Sequence, residues 1–222
     1  RGSGMPQIFN DDAVIPALEN QGIAHEDAAN YGIVGCVELT THGNNLGWSD
    51  AAMFNMVKAL ELALNDGVCL LTGDRLGPPL GSLSDHPRYE DVEVAFRGQL
   101  DHFIERMIPL CHRVEQLHAE VLPSAFLSSV IDDCVERGVD VTAGGAHYNL
   151  SGIQAIQVAN IADSLAALRA LVYRGEGFDM FIDRNELLAA IRADFAAPQY
   201  ESLAGMLARR APKYGNDVAW VD

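Results

Sequence analysis

Between Tyr89 and Leu122 apolar side chains return every three or four residues: Phe96, Leu100, Phe103, Met107, Leu110, Val114 and Leu117. That spacing is the helical period. It predicts one long helix, interrupted at Pro123, whose ring cannot continue it. An amphipathic helix of this length has to be packed against other layers. Shorter helical patterns flank it. Asp11 to Asn20 reads as a helix stopped by Gly22, and AHEDAANYG as a second, closed by Gly32. AAMFNMVKALELALND carries Met53, Val57, Leu60 and Leu64 at helical spacing, with Ser49 or Asp50 as N-cap and Gly67 at the C′ position. SAFLSSVIDDCVERG, IQAIQVANIADSLAALRALVY, and the segments about Asn185 to Phe195 and Tyr200 to Arg210 read as further helices.

Strand signals are few, namely VCLLT and VDVT. IVGCVE is too short and too glycine-flanked for a core strand and reads as an extended loop tip. GDRLGPPLGSLSDHPRYED and AGGAHYNLSG read as irregular loops. There is no internal repeat. Helices alternating with short strands predict an α/β class in which helix dominates.

The 222 residues are 49% hydrophobic, enough for a sizeable core in one large domain or two small ones. A net charge of −16 disfavours nucleic acid and anionic membrane as partners. No apolar run approaches the ~20 residues of a membrane helix, and no signal peptide is visible. Of the four cysteines, no two have CxxC spacing, so no zinc knuckle or dithiol motif is indicated. Cys111 and Cys134 fall in apolar helical runs and are expected as buried free thiols, reduced in a cytoplasm. His102, His112 and His118 lack the i, i+4 spacing of a helical zinc pair and are expected as helix-surface residues, with no bound metal. GDRLGPPLG lacks the Lys-Ser/Thr of a P-loop. The ends, RGSGMPQIFND and KYGNDVAWVD, are expected to be internal to a longer sequence, and a cloning scar is one reading open for RGSG.

The chemistry concentrates at Cys36 and Glu38. A cysteine is commonly a small buried thiol and a glutamate commonly a solvated carboxylate. Here the neighbours are glycines and small polar groups rather than a periodic apolar face, so the cysteine is presented rather than packed. Gly35 allows a tight turn or a close approach. In extended chain, residues i and i+2 point to the same side, and Cys36 and Glu38 would face one substrate together. The negative charge of Glu38 raises a neighbouring thiol's pKa, which argues against a thiolate nucleophile and for a sulfur that acts as a neutral species.

YGIVGCVE resembles the cysteine loop of the glycyl radical enzymes, the pyruvate formate-lyase-like superfamily, in its dehydratase, C–N lyase, C–S lyase and decarboxylase branches. Four other segments resemble the family in the same order: GSGMPQIFND, GWSDAAMFNMVKALELALNDG, GGAHYNLSGIQ followed by VANIADSLAALR, and KYGND. The resemblance implies a ten-stranded α/β barrel with the cysteine loop inside, of which residues 1–222 form a central to C-terminal part of one domain. It implies that Cys36 is the thiyl site and Glu38 the acid/base, and that a glycyl radical is installed by an activating enzyme using S-adenosylmethionine and an iron–sulfur cluster. Asp50, His147, Tyr148 and Leu150, with Asn149, fall where the family lines its substrate site. A helix N-cap for Asp50 and a simple turn for 147–149 remain open beside those roles. The implied activity is radical elimination from a small polar substrate, dehydration first. Arylacetate decarboxylase, C–S and C–N lyase chemistry remain open, as does a radical-dead scaffold or binding subunit. The family implies a cytoplasmic homodimer, which some members place within a bacterial microcompartment.

The sequence departs from the family in three places. It carries no RVxGY radical motif, so the chain by itself is expected to be inactive. Leu39 stands where diol dehydratases carry proline, and Leu150 where several relatives carry an aromatic residue. Half a barrel leaves strand edges unpaired, which predicts poor solubility for the isolated piece.

Overall fold

The computed structural model describes residues 8–173 and 181–213. GSGMPQ and YGND, two pieces of the segments that carry the resemblance, lie outside the described residues. The chain divides into two compact units. Among the described residues one, here the hairpin unit, comprises residues 8–54 and 106–154; the other, the core unit, comprises residues 55–105, 155–173 and 181–213.

Helix α1 (Asp11–Asn20) begins where the Asn10 side chain accepts the Asp12 N–H at 3.1 Å. Helix α2 (His25–Ala29) follows. Leu18, Ile23 and Ala28 form a small buried cluster beneath both helices, with Tyr31, Leu39, Tyr148 and Leu150 packed against it. Strands β1 (Gly32–Val34) and β2 (Glu38–Thr40) then make an antiparallel hairpin with Val34 opposite Glu38. What reads from sequence as a loop tip is therefore a paired hairpin whose turn is Gly35, Cys36 and Val37.

Strand β3 (Asn45–Asn55) runs through Ala51–Asn55, where the sequence suggests helix. Helix α3 (Met56–Leu64) starts later, capped by the Asn55 side chain on the Lys58 N–H at 2.9 Å, so neither Ser49 nor Asp50 is its cap. Ala-Ala-Met-Phe carries no feature that separates strand from helix, and pairing with a distant strand decides it. VCLLT is not a strand. It belongs to a loop tied by the isolated bridges Val68–Arg75 and Asn65–Ser82, and by Asp66, which pairs with Arg75 at 2.9 Å and accepts the Gly81 N–H.

Helix α4 (Tyr89–Val121) is the long helix expected. Its buried positions lie in the first third: Val92, Ala95, Phe96 and Gln99. Farther on the apolar stripe is only partly covered among the described residues. SAFLSSVIDDCVERG is two single turns, α5 (Ala125–Ser128) and α6 (Cys134–Arg137), rather than one helix. The cause is Asp140, whose carboxylate accepts the Ser124 N–H, the Ser128 and Thr142 hydroxyls and the Thr142 N–H. The same bonds fold VDVT into a 3₁₀ turn, Val141–Ala143, instead of a strand. They also hold the Asp140 carboxyl down at about 2, the Thr142 hydroxyl contributing most.

Strand β4 (Tyr148–Ile156) replaces the predicted loop and the first turn of the predicted helix. It pairs with β3. The Tyr148 N–H meets the Asn44 carbonyl, and Gly152 lies against Ser49, so the contacts advance together along both strands. A Cβ on Gly152 would stand 2.9 Å from the Ser49 carbonyl oxygen, closer than backbone tolerates. Helix α7 (Val158–Ala167) continues as a π-helical turn, Leu168–Val172. Helix α8 (Arg184–Arg192) is capped by the Asp183 side chain on the amides of Asn185 and Glu186, and α9 (Glu201–Arg210) closes the described chain. In the core unit α3, the start of α4, α7, the π turn, α8 and α9 share one buried apolar cluster that includes Leu60, Phe96, Leu171, Leu188 and Leu203. No helix among the described residues is long and apolar enough to cross a membrane.

Candidate active site

The hairpin turn is built around one carboxylate. Glu38 Oε2 accepts the backbone N–H of Cys36 at 2.7 Å and of Val37 at 2.9 Å. Glu38 Oε1 accepts from Gln154 Nε2 on β4 at 2.6 Å. Gly35 makes this possible. Its φ of +64° suits glycine, and a Cβ there would sit 2.6 Å from Glu38 Oε2. Hydrogen bonds to the ionised form lower the Glu38 pKa: the Val37 amide contributes most, then its own amide, with those of Cys36 and Gln154 acting the same way against burial. At neutral pH Glu38 is therefore a carboxylate.

Cys36 is exposed at the turn and unbridged. Its backbone N–H is engaged by Glu38, while the thiol is presented outward. Hydrogen-atom transfer between a glycine Cα and a thiol needs a free sulfur that another segment can reach, and an exposed, unbridged Cys36 fits that requirement. The thiol and the carboxylate are thus joined through the turn, Glu38 folding back onto the amide of the residue that carries the sulfur.

The hairpin is backed by a polar chain. Thr41 Oγ1 donates to Asn44 Oδ1, and Asn44 Nδ2 to Asp27 Oδ1 at 3.0 Å. The Tyr148 hydroxyl donates to Asp27 Oδ2 at 2.8 Å and accepts the Ala24 N–H at 3.1 Å. Successive strand residues point to opposite sides. Tyr148, Leu150, Gly152 and Gln154 are the more covered positions of β4, and Asn149, Ser151 and Ile153 the more open ones. The covered face meets α1, α2 and the hairpin. The open face, with Leu150, lines a cavity of about 670 Å³ whose other walls include Leu46, Trp48, Cys111 and His118.

Of the residues singled out in sequence, the structure brings Cys36 and Glu38 together. Tyr148 is held by Asp27 and Ala24 behind the hairpin. His147 pairs through Nδ1 with Asp133 at 2.8 Å and meets the Tyr148 ring edge-on at 4.5 Å. Leu150 packs on the α1–α2 cluster. Asp50 is exposed on β3. The alternation groups it with Leu46 and Trp48, which line the cavity, whereas Asn45 and Gly47 lie against Thr40 of β2. Cys134 is buried, as expected, and burial pushes its thiol pKa up; Cys111 is half-buried at the cavity wall. His118 contacts Trp48 and His102 contacts Phe103, at centroid distances of 5.3 and 5.1 Å. No group of three or more metal-binding side chains occurs among the described residues. Sequence reasoning missed Gln154, Asp27 and Asn44. An alternation signal in YNLSGIQ would have pointed to Gln154 had the segment been read as strand.

Comparison with known proteins gives the site its context. The family described as pyruvate formate lyase-like matches residues 1–222. The chain is 33% identical to the (2S)-3-sulfopropanediol dehydratase of Klebsiella oxytoca, over 100% of this chain and 26% of that protein. It is 33% identical to the trans-4-hydroxy-L-proline dehydratase of Clostridioides difficile, over 100% of this chain and 27% of that one. The glycerol-bound form of the B12-independent glycerol dehydratase from Clostridium butyricum superposes with a TM-score of 0.86 at 35% identity, covering 98% of this chain and 27% of its own. The chain therefore spans about a quarter of the length of the relatives it matches. The helix-rich α/β architecture is the fold class expected for part of the ten-stranded barrel. Matched from the first residue to the last, the chain belongs to the pyruvate formate lyase-like family.

Proposed function

We propose that this chain carries the thiol and carboxylate centre of a glycyl radical lyase that dehydrates a small polar substrate. The observation that carries the reading is the turn itself: a presented Cys36 thiol beside an ionised Glu38 whose carboxylate is anchored to the turn's own amides. The dehydratases among its relatives support elimination of water. A glycyl radical, installed by an S-adenosylmethionine and iron–sulfur activating enzyme, would supply hydrogen-atom abstraction from the Cys36 thiol. Cys36 then exchanges a hydrogen atom with a substrate carbon. Glu38 accepts the proton of one substrate hydroxyl, and returning that proton to the hydroxyl on the adjacent carbon lets the C–O bond break with loss of water. Asp50 is the further candidate for holding a substrate hydroxyl. Tyr148, held by Asp27 and Ala24, and His147, paired with Asp133, would shape the site through the segment that carries Leu150.

The test is anaerobic activation of the intact enzyme followed by a screen of small diols and hydroxylated acids. Cys36→Ser should abolish turnover. Glu38→Gln should leave the glycyl radical's electron paramagnetic resonance signal intact while abolishing elimination. Undiminished activity in either variant would overturn the role given to that residue.

A further inference from the structure

We infer that Gln154 is a positioning residue for Glu38, selecting which carboxylate oxygen receives the substrate proton. The inference rests on the reading of Glu38 as proton acceptor and deepens it. An ionised carboxylate oxygen offers about two lone-pair sites. Oε2 has both occupied, by the Cys36 and Val37 amides. Of the bonds that reach the carboxylate from other residues, Oε1 accepts one, from Gln154, which makes it the less occupied oxygen. The incoming proton therefore lands on Oε1: the substrate O–H bond breaks, its electron pair stays on the substrate oxygen, and a new O–H bond forms on Glu38. Gln154 fixes the direction in which that oxygen is presented.

The position of Gln154 in the fold strengthens the point. It lies on β4, 116 residues from Glu38 in sequence, on the face it shares with Tyr148, Leu150 and Gly152, of which Tyr148 and Leu150 are fixed by Asp27, Ala24 and the α1–α2 cluster. A rigid strand thus holds one oxygen and the turn holds the other. An ionised carboxylate only accepts, so the carboxamide must turn its NH₂ toward it. The titratable neighbours on the hairpin side are Cys36 at the turn and His42, which stands over Gly32; from β4 the group facing Glu38 is the uncharged Gln154, and Tyr148 is engaged by Asp27.

Gln154→Met keeps length and flexibility without a donor. In the intact activated enzyme it should lower kcat about tenfold with KM little changed, and move the acidic limb of the kcat profile to higher pH. In the enzyme before activation, the Glu38 carboxyl resonance, read from carbon-13-labelled glutamate and assigned by its loss in Glu38→Gln, should titrate at higher pH in Gln154→Met. Gln154→Glu, which preserves shape but opposes two carboxylates, should move it further the same way, and it carries the test should the Met variant not fold. An unmoved Glu38 titration and pH profile, with Glu38→Gln inactive, would overturn the positioning role alone. An active Glu38→Gln would overturn the proton-acceptor reading and this inference with it.

Discussion

The two units hold themselves together by different means. In the core unit one apolar cluster joins residues from α3, α4, α7, the π turn, α8 and α9. In the hairpin unit the described apolar clusters are small: Leu18, Ile23 and Ala28 in one, Cys134, Val141 and Ala146 in the other. There, directed bonds set the geometry: Asp140 gathers α5 and the 3₁₀ turn, Asp27 ties Tyr148 to Asn44, and Glu38 closes the hairpin. Apolar packing is indifferent to small rotations, whereas a hydrogen bond fixes direction as well as distance. The unit that carries the candidate chemistry is the one built from directional contacts.

That contrast can be tested by local hydrogen exchange in the intact protein. Leu171 is fully buried in the core cluster, and Leu171→Ala should cost about 3 kcal/mol. Exchange should quicken by about two orders of magnitude in α3 and α8 and stay unchanged from Tyr148 to Gln154. Equal acceleration in both units would show that they open as one. Tyr148→Phe removes a bond to Asp27 and one from the Ala24 amide, and should cost about 1–2 kcal/mol. Its effect should be confined to α2 and β4, and no change in either would mean that the polar chain is idle. Gly35→Ala places a Cβ against Glu38 Oε2 at positive φ and should cost about 1 kcal/mol. Faster alkylation of Cys36 would follow as the turn loosens, and an unaltered rate would deny the carboxylate its hold on the turn.

The smallest effect is on pH. The Asp140 pKa falls from the usual 3.8 to about 2 on folding. Its stabilisation is therefore complete above about pH 4 and is lost as pH falls toward 2. The full shift corresponds to a little over 2 kcal/mol, and solvent screening brings it to about 1 kcal/mol. Exchange at Ser124 to Thr142 should quicken over that range in the native protein and be pH-independent, beyond the intrinsic rate, in Asp140→Asn. Identical profiles would assign the acid sensitivity elsewhere.

Much of this was legible in the residues. The stripe from Phe96 to Leu117 announces α4, and Gly22, at φ +88°, marks the end of α1. Glycines around Cys36 announce a presented sulfur. What sequence hid was long-range pairing. Ala51 to Asn55 has no alternation, and it is strand because β4 lies alongside. In β4 the alternation is masked because one covered position is Gln154, a polar group made tolerable by a partner 116 residues away. SAFLSSVIDDCVERG has helical spacing, but Asp140 offers its serines better partners than the helix would.

The Cys36 and Val37 amides that bind Glu38 make the sulfur and the carboxylate a single moving part. A proton on Oε1 leaves Oε2 an uncharged oxygen that still accepts both amides but holds them less strongly, so each arriving proton also loosens the perch from which the sulfur reaches out. Redesign that relocates one group has to relocate both.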